Sequence, residues 1–330
     1  MNTAVSIIRH PVKDSTARRV YLATTFLLIA LYAFLYFQGR AELPLSGINL
    51  VAVNPSFNRA IYGGFGEEQL NRPLGVFADS DRVYVCDTNN HRIVIFDHSG
   101  KQLVSFGERG EQGGGMFLFP YGITADDSRI FVSDLYQGLI HTFDSEGQFT
   151  GYFAEELSKN RVLTAPGDIH LAHGKAYITE IKRNRVLVVD LNSAELLLEV
   201  GLDGDLYAPN GVTTDSDGNI FVVDTGHARI AVFDPHGNPL RVINGSATGH
   251  GSSMLMNPRG IGLDRFGRII VANNMGHNIM GFEKTGEYLF TIGSQGTGLN
   301  NFMLPNGLHI DHGGRIYITD TMNRRVMVYQ

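Results

Sequence analysis

Apolar and polar positions alternate in short runs from about residue 57 to the end of this chain, and the runs recur with a fixed period. Each round opens with a proline followed two residues later by a short apolar run. The prolines are Pro73, Pro120, Pro166, Pro209, Pro258 and Pro305, spaced 47, 46, 43, 49 and 47 residues apart. A second run ends in a polar residue at Asp87, Asp134, Glu180, Asp224, Asn273 and Asp320, and a third ends at Phe96, Phe143, Val189, Phe233, Phe282 and Tyr329. In the first round the pattern predicts strands over 74–77, 82–86, 92–96 and 102–106, with a turn at His98-Ser99-Gly100 where glycine accepts a positive φ. Four short strands every ~45 residues is the signature of a β-propeller blade. Six rounds predict an all-β, six-bladed β-propeller over residues 57–330.

The sixth round stops after its third strand, at Tyr329-Gln330. Residues 59–66 precede the first round and look like the fourth strands that end in Phe106-Gly107 and Ile292-Gly293. The N-terminal strand is therefore expected to complete the last blade, which closes the ring and leaves no open array edge.

A different pattern occupies the N-terminus. Residues 20–37 are 18 uncharged, largely apolar residues, about 27 Å of helix at ~1.5 Å per residue. Arg9, Lys13, Arg18 and Arg19 precede them with only Asp14 as an acid. Basic flanks stay cytoplasmic. The expectation is a basic cytoplasmic segment 1–19, a single-pass anchor 20–37 in the cytoplasmic membrane, a tether 38–56, and a propeller outside. A cleavable signal peptide is the competing reading, with Gly39 and Ala41 as a weak cleavage site, although its apolar region is usually shorter.

Composition narrows the picture. Hydrophobic residues make up 43% and charged residues 18%, which supports a packed core and excludes general disorder. The 39 glycines follow no three-residue period, which excludes collagen. The single cysteine, Cys86, excludes internal disulfides, a four-cysteine zinc site and covalent haem attachment.

The run Asp87-Thr88-Asn89-Asn90-His91-Arg92-Ile93 resembles the NHL repeat, as do Asp224-Thr225-Gly226-His227-Ala228-Arg229-Ile230 and Asp320-Thr321-Met322-Asn323-Arg324-Arg325-Val326. The resemblance covers about residues 57–330 and implies a six-bladed propeller; fold alone does not assign function. The recurring acid has an arginine five residues on in four rounds, Asp87/Arg92, Glu180/Arg185, Asp224/Arg229 and Asp320/Arg325. This periodicity predicts a structural bridge within each of those blades. His91, His227 and His277 share the same loop and read as structural. His170 with His173, and His309 with His312, straddle a strand and a turn and do not form metal pairs.

In a propeller the first strand of each blade lines the channel, so the residues after the repeated prolines form the expected ligand site: Leu74, Tyr121, Gly167-Asp168, Asn210, Arg259 and Asn306. The amidating lyase related to NHL propellers holds zinc through histidines directly after that proline; none of the six positions here is histidine, which disfavours zinc lyase chemistry. Calcium-dependent lactonases of the gluconolactonase and paraoxonase type carry a Pro-Asn-Gly element similar to Pro209-Asn210-Gly211 and Pro305-Asn306-Gly307. That likeness makes Asp168, Asn210 and Asn306 the candidate ligands of a Ca2+ ion, since hard cations take oxygen donors. An Asn-Gly pair also reads simply as a tight turn. The glycine-rich stretch 110–115 lacks the Lys-Ser/Thr of a phosphate loop and reads as an inter-blade connection.

Residues 1–40 hold five Lys+Arg and one acid, leaving 22 Lys+Arg against 32 acids, a net of −10, on the remainder. That balance opposes nucleic-acid binding. No catalytic residue stands out. The expected function is an extracytoplasmic binding or scaffold module that docks a protein, peptide or small polar ligand on the loop face; the alternative is a calcium-dependent hydrolase. Met254, Leu255 and Met256 offer an adaptable apolar contact on that face, as does the run Met116 to Phe119, and both runs also read as packing between blades.

Overall fold

The computed structural model describes residues 54–330 except 112, 203 and 247–251. They form six four-stranded antiparallel sheets and one short parallel pair, Glu108–Arg109 with Met116–Phe117. Five sheets are consecutive in the sequence; the first holds Val76–Ala78, Arg82–Asp87, Arg92–Asp97 and Gln102–Phe106. The sixth holds Pro305–Ile310, Ile316–Asp320 and Arg325–Tyr329, and its outer strand is Phe57–Ile61 from the other end of the ring. Phe57 lies opposite Tyr329 and Ile61 opposite Val326. The expected closure is present.

The first strand of blade one begins at Val76, not at residue 74. In the other five blades the first strand begins at the proline itself. There the register slips directly after the proline, as between Pro305 and Leu308. Proline has no N–H to give the ladder, so pairing becomes regular only beyond it.

Strand alternation explains the core. Side chains leave a strand alternately to its two faces. In Arg82–Asp87, Val83 and Val85 pack with blade six, while Tyr84 and Cys86 pack with blade two. Six buried clusters result, one at each junction of neighbouring blades.

The polar residue ending each second strand is almost fully buried in all six blades. Its side-chain oxygen accepts the backbone N–H of the residue two before the repeat proline of its own blade: Asn71 to Asp87, Leu118 to Asp134, Thr164 to Glu180, Tyr207 to Asp224, Met256 to Asn273 and Met303 to Asp320. Each polar residue thus staples the loop leading into its blade. The expected bridges exist at Asp87–Arg92 (2.7 Å), Asp224–Arg229 (2.6 Å) and Asp320–Arg325 (2.8 Å). The fourth does not. Glu180 is one methylene longer and spends its carboxylate on Thr164 and Ala165, while Arg185 turns to Glu199 and the Val162 carbonyl. The Arg185 Nε, the atom used by the other three arginines, is buried without a partner.

Residues 1–53, and with them the basic segment, the apolar run 20–37 and most of the tether, lie outside the described residues. Among the described residues no helix is long and apolar enough to cross a membrane.

Candidate functional site

Every blade starts at the same end of the channel, so the residues after the six prolines meet there. Two faces follow. The proline face carries the loops between blades and the loops joining second to third strands. The turn face carries the hairpins joining first to second and third to fourth strands.

Polar side chains knit neighbouring blades at every junction. The hydroxyls of Thr88, Thr225 and Thr321 donate to the carbonyls of Pro120, Pro258 and Pro73, the proline of the following blade. Asn274 does the same to Pro305, Ser133 reaches Gly167, and Thr179 reaches Asn210. These ties set the second-to-third-strand loops beside the mouth of the channel.

Close approach also dictates the residue two after each proline. It is glycine in five blades. A Cβ there would overlap the Leu74 carbonyl oxygen at Gly307 and the Arg259 carbonyl oxygen at Gly211. Neither Asn-Gly pair is a tight turn: Asn210-Gly211 and Asn306-Gly307 lie within first strands. Asp168 is the one exception to the glycine rule.

The throat at the proline end encloses only about 20 Å³. Of the predicted site residues, three are bonded together there. The Tyr121 hydroxyl donates to Asn210 Oδ1 (2.5 Å), and Arg259 Nη1 donates to the same oxygen (2.5 Å) and to the Tyr121 oxygen (3.4 Å). Asn210 Nδ2 donates to the Ala208 carbonyl and Thr225 Oγ1. Blade five thus reaches across to blades four and two and plugs the channel. Burial raises the Tyr121 phenol above its ordinary pKa, a shift the Arg259 charge opposes. Asp168 and Asn306 line the same throat without bonding to the other three. Asp168 accepts the backbone N–H of Ile169 and Val212 (3.0 and 3.2 Å), and desolvation pushes its carboxyl up to about 6.

The donor set does not fit a calcium ion. Asn210 Oδ1 is already taken twice, once by a guanidinium, and a second cation there meets the Arg259 charge. Among the described residues no group of three or more His, Cys, Asp or Glu side chains is arranged around a metal position.

The wider opening lies at the other end, where the sequence pattern had placed no site. On the turn face the channel flares into a funnel of about 640 Å³, with Asp168 toward its floor and Thr124, His170, Thr213 and His309 on its walls. His309 Nε2 lies 2.9 Å from the Ala78 carbonyl, which only accepts, so Nε2 carries the proton and Nδ1 is left as an acceptor. Burial holds both His170 and His309 down to about 4, so they are neutral at pH 7. The one sequence signal pointing to the funnel is Asp168, the acid standing where five blades have glycine.

Apolar exposure is uneven. Of the fifteen large apolar residues exposed among the described residues, nine lie in proline-face loops and one, Phe266, lies on the turn face. Tyr136, Met275 and Met322 occupy the same position of the second-to-third-strand loop in three blades, at 67%, 57% and 43% exposure. Tyr207 and Met256 precede repeat prolines and are also exposed. The backbone N–H of Met275 donates to the Met256 carbonyl, which sets those two side by side. In the two apolar runs of the sequence, Leu255 and Phe117 are buried between blades and Met256 faces outward.

Comparison with known proteins agrees with this architecture. A model described as NHL repeat matches residues 70–96 and 206–233, and one described as 6-bladed beta-propeller matches 261–330. Protein brain tumor of Drosophila melanogaster is 30% identical over 182 residues, 54% of this chain. Peptidylglycine alpha-amidating monooxygenase of Rattus norvegicus is 27% identical over 123 residues, 36% of this chain. The matched segments span only 13% and 12% of those two proteins. A gluconolactonase from Xanthomonas campestris superposes with a TM-score of 0.59 at 14% identity over 83% of this chain and 98% of that one, a likeness of fold alone. With six sheets in a closed ring and the repeat motif in the loops that staple them, the protein is a six-bladed β-propeller carrying NHL repeats.

Proposed function

We propose that this protein is a binding module that docks a protein or peptide partner on the proline face of its propeller, held outside the cytoplasmic membrane by residues 20–37. The observation that carries the reading is the concentration of exposed Tyr and Met side chains on that face, around a throat closed by its own residues. Methionine surfaces repack against varied partners, and a rigid ring holds its loops in place for contact. A hydrolase reading is less well supported, because Asn210 Oδ1 is already taken by Tyr121 and Arg259 and a calcium ion there would meet the Arg259 charge. Site-specific photo-crosslinking in the native membrane tests the docking face. A photoreactive residue at Met275 or Tyr136 is expected to trap one discrete protein, identified by mass spectrometry, and one at Phe266 on the turn face is not. Equal labelling from both faces, or none from either, overturns the proposal.

The funnel favours a second site, for a small polar ligand. Its volume falls within the range of ligand pockets, ~300–1,000 Å³, and it offers acceptors in Asp168 toward the floor and His309 on the wall.

A further inference from the structure

Arg259, half-buried at the channel mouth, differs from the arginines that this ring holds in ion pairs. Arg92, Arg229, Arg268 and Arg325 each pair with an aspartate at 2.8 Å or less. Arg259 lies in no ion pair among the described residues, and its hydrogen-bond partners are a neutral amide and a phenol. Its Nε, like that of Arg185, is buried and has no partner among the described residues. Beside it, the Asn306 carboxamide makes no hydrogen bond among the described residues, although it lines the same throat. The channel mouth therefore holds a guanidinium and an amide with unused donors, in a ring whose overall balance beyond residue 40 is acidic.

The throat is continuous with the apolar surface. The Tyr121 ring, bonded to Arg259, stacks on Phe119 at 6.3 Å, and Phe119 stacks on Tyr136 at 4.6 Å. On the opposite side of the mouth, the side chains of Asn274 and Thr321 bind the repeat prolines of the following blades, which places Met275 and Met322 at the rim. An apolar rim around a cation in no ion pair is complementary to an apolar segment that carries one negative group.

We infer that the proline face receives an apolar peptide segment that presents a carboxylate to Arg259 and Asn306. A carboxylate matches the forked donors of a guanidinium, and charge-assisted hydrogen bonds are the strong ones. The throat, at about 20 Å³, admits a single small group, so the rest of the segment lies on the Tyr and Met rim. This inference rests on the docking proposal and adds the chemistry of the partner. The carboxylate has two sources, the free C-terminus of a peptide or an Asp or Glu side chain.

The test uses the full-length protein in detergent micelles and two libraries of fluorescein-labelled random octapeptides, one ending in a free acid and one in an amide. Bound peptides are expected to combine several apolar residues with a carboxylate. If a peptide terminus supplies it, only the free-acid library yields binders; if a side chain does, both libraries do, and Glu→Gln in the peptide removes binding. Loss of the carboxylate is expected to weaken binding about tenfold or more, the scale of one charge-assisted contact. Arg259→Gln should lower affinity for the carboxylate peptide by a similar factor and leave its amide counterpart unaffected. If Arg259→Gln does not fold, Asn306→Asp, outside the Tyr121–Asn210 network, serves instead and should weaken the same peptides by charge repulsion. Equal affinity for carboxylate and amide forms overturns the inference. If Met275→Asp still abolishes binding of both forms, the docking face stands without the carboxylate. If neither library yields a binder, docking of peptides falls with it.

Discussion

One side chain, Asp168, departs from a rule the other five blades keep. Blade three carries a carboxylate where its neighbours have glycine, and among the described residues the only donors it meets are two backbone N–H groups. Desolvation pushes its pKa up to about 6 from 3.8. A folded state that holds its proton more tightly than the unfolded chain is favoured at low pH, so this group's contribution is complete below ~pH 4 and is lost as pH rises through 6. An asparagine at this position would carry no charge to desolvate. Asp168→Asn is therefore expected to stabilise the folded protein at pH 7.5 by about 1–2 kcal/mol, less than the ~3 kcal/mol of a two-unit shift because Asp168 is only half-buried and lines the open funnel, and to change little at pH 4. Urea melts of both proteins at the two pH values check this; a variant less stable at pH 7.5 would mean that the carboxylate holds the ring together.

The element that closes the ring is the strand Phe57–Ile61. Ile61 is 2% exposed and packs with Val76, Val326 and Val328 at the junction of blades six and one. Ile61→Ala is expected to cost about 2–4 kcal/mol, as for other buried isoleucines, whereas Leu103→Ala on the outer strand of blade one, where Leu103 is 45% exposed, should cost little. Equal midpoints in denaturant would show that the N-terminal strand contributes nothing to closure. This closure, the blade count and three of four acid–arginine bridges were legible from spacing alone, because a repeat shows six versions of one local solution. What repetition does not expose is how a blade departs from it. Glu180 and Asp87 share a position, and only three-dimensional reach shows that the longer acid abandons Arg185 for the backbone of Thr164 and Ala165. The throat residues were legible as a ring, since they follow the prolines. Their mutual bonding was not, because Tyr121, Asn210 and Arg259 come from blades two, four and five and are 138 residues apart at the extremes. The turn-face funnel left little mark in the sequence because its lining comes from all six blades, whose first strands lie far apart along the chain.

At the scale of the whole molecule, the proposed anchor puts the ring on one side of a membrane, and the ring's construction bears on which. Its core is assembled from six junctions, each closed by apolar packing and a polar tie between blades, with no disulfide needed at any of them. The one cysteine, Cys86, is fully buried, and burial raises its thiol well above the ordinary range, so little thiolate is present to react. The fold is thus compatible with an oxidising compartment. The direction proposed rests on the N-terminal charges: four basic residues precede the apolar run 20–37, and basic flanks of an anchor are retained in the cytoplasm. The last strand ends beside the first, with the Ser56 N–H donating to the Gln330 carbonyl, so a fusion after Gln330 leaves the ring on the side its N-terminal strand occupies. Alkaline phosphatase, which needs disulfides to fold, is expected to be active when fused there, and a β-galactosidase fusion is not. Converting Arg18 and Arg19 to Glu removes half of the basic residues before the run and should shift part of the population to the opposite pattern. A β-galactosidase fusion fully active in the unmodified protein would place the ring in the cytoplasm and remove the extracytoplasmic part of the proposed function, while leaving the proline face as its docking surface.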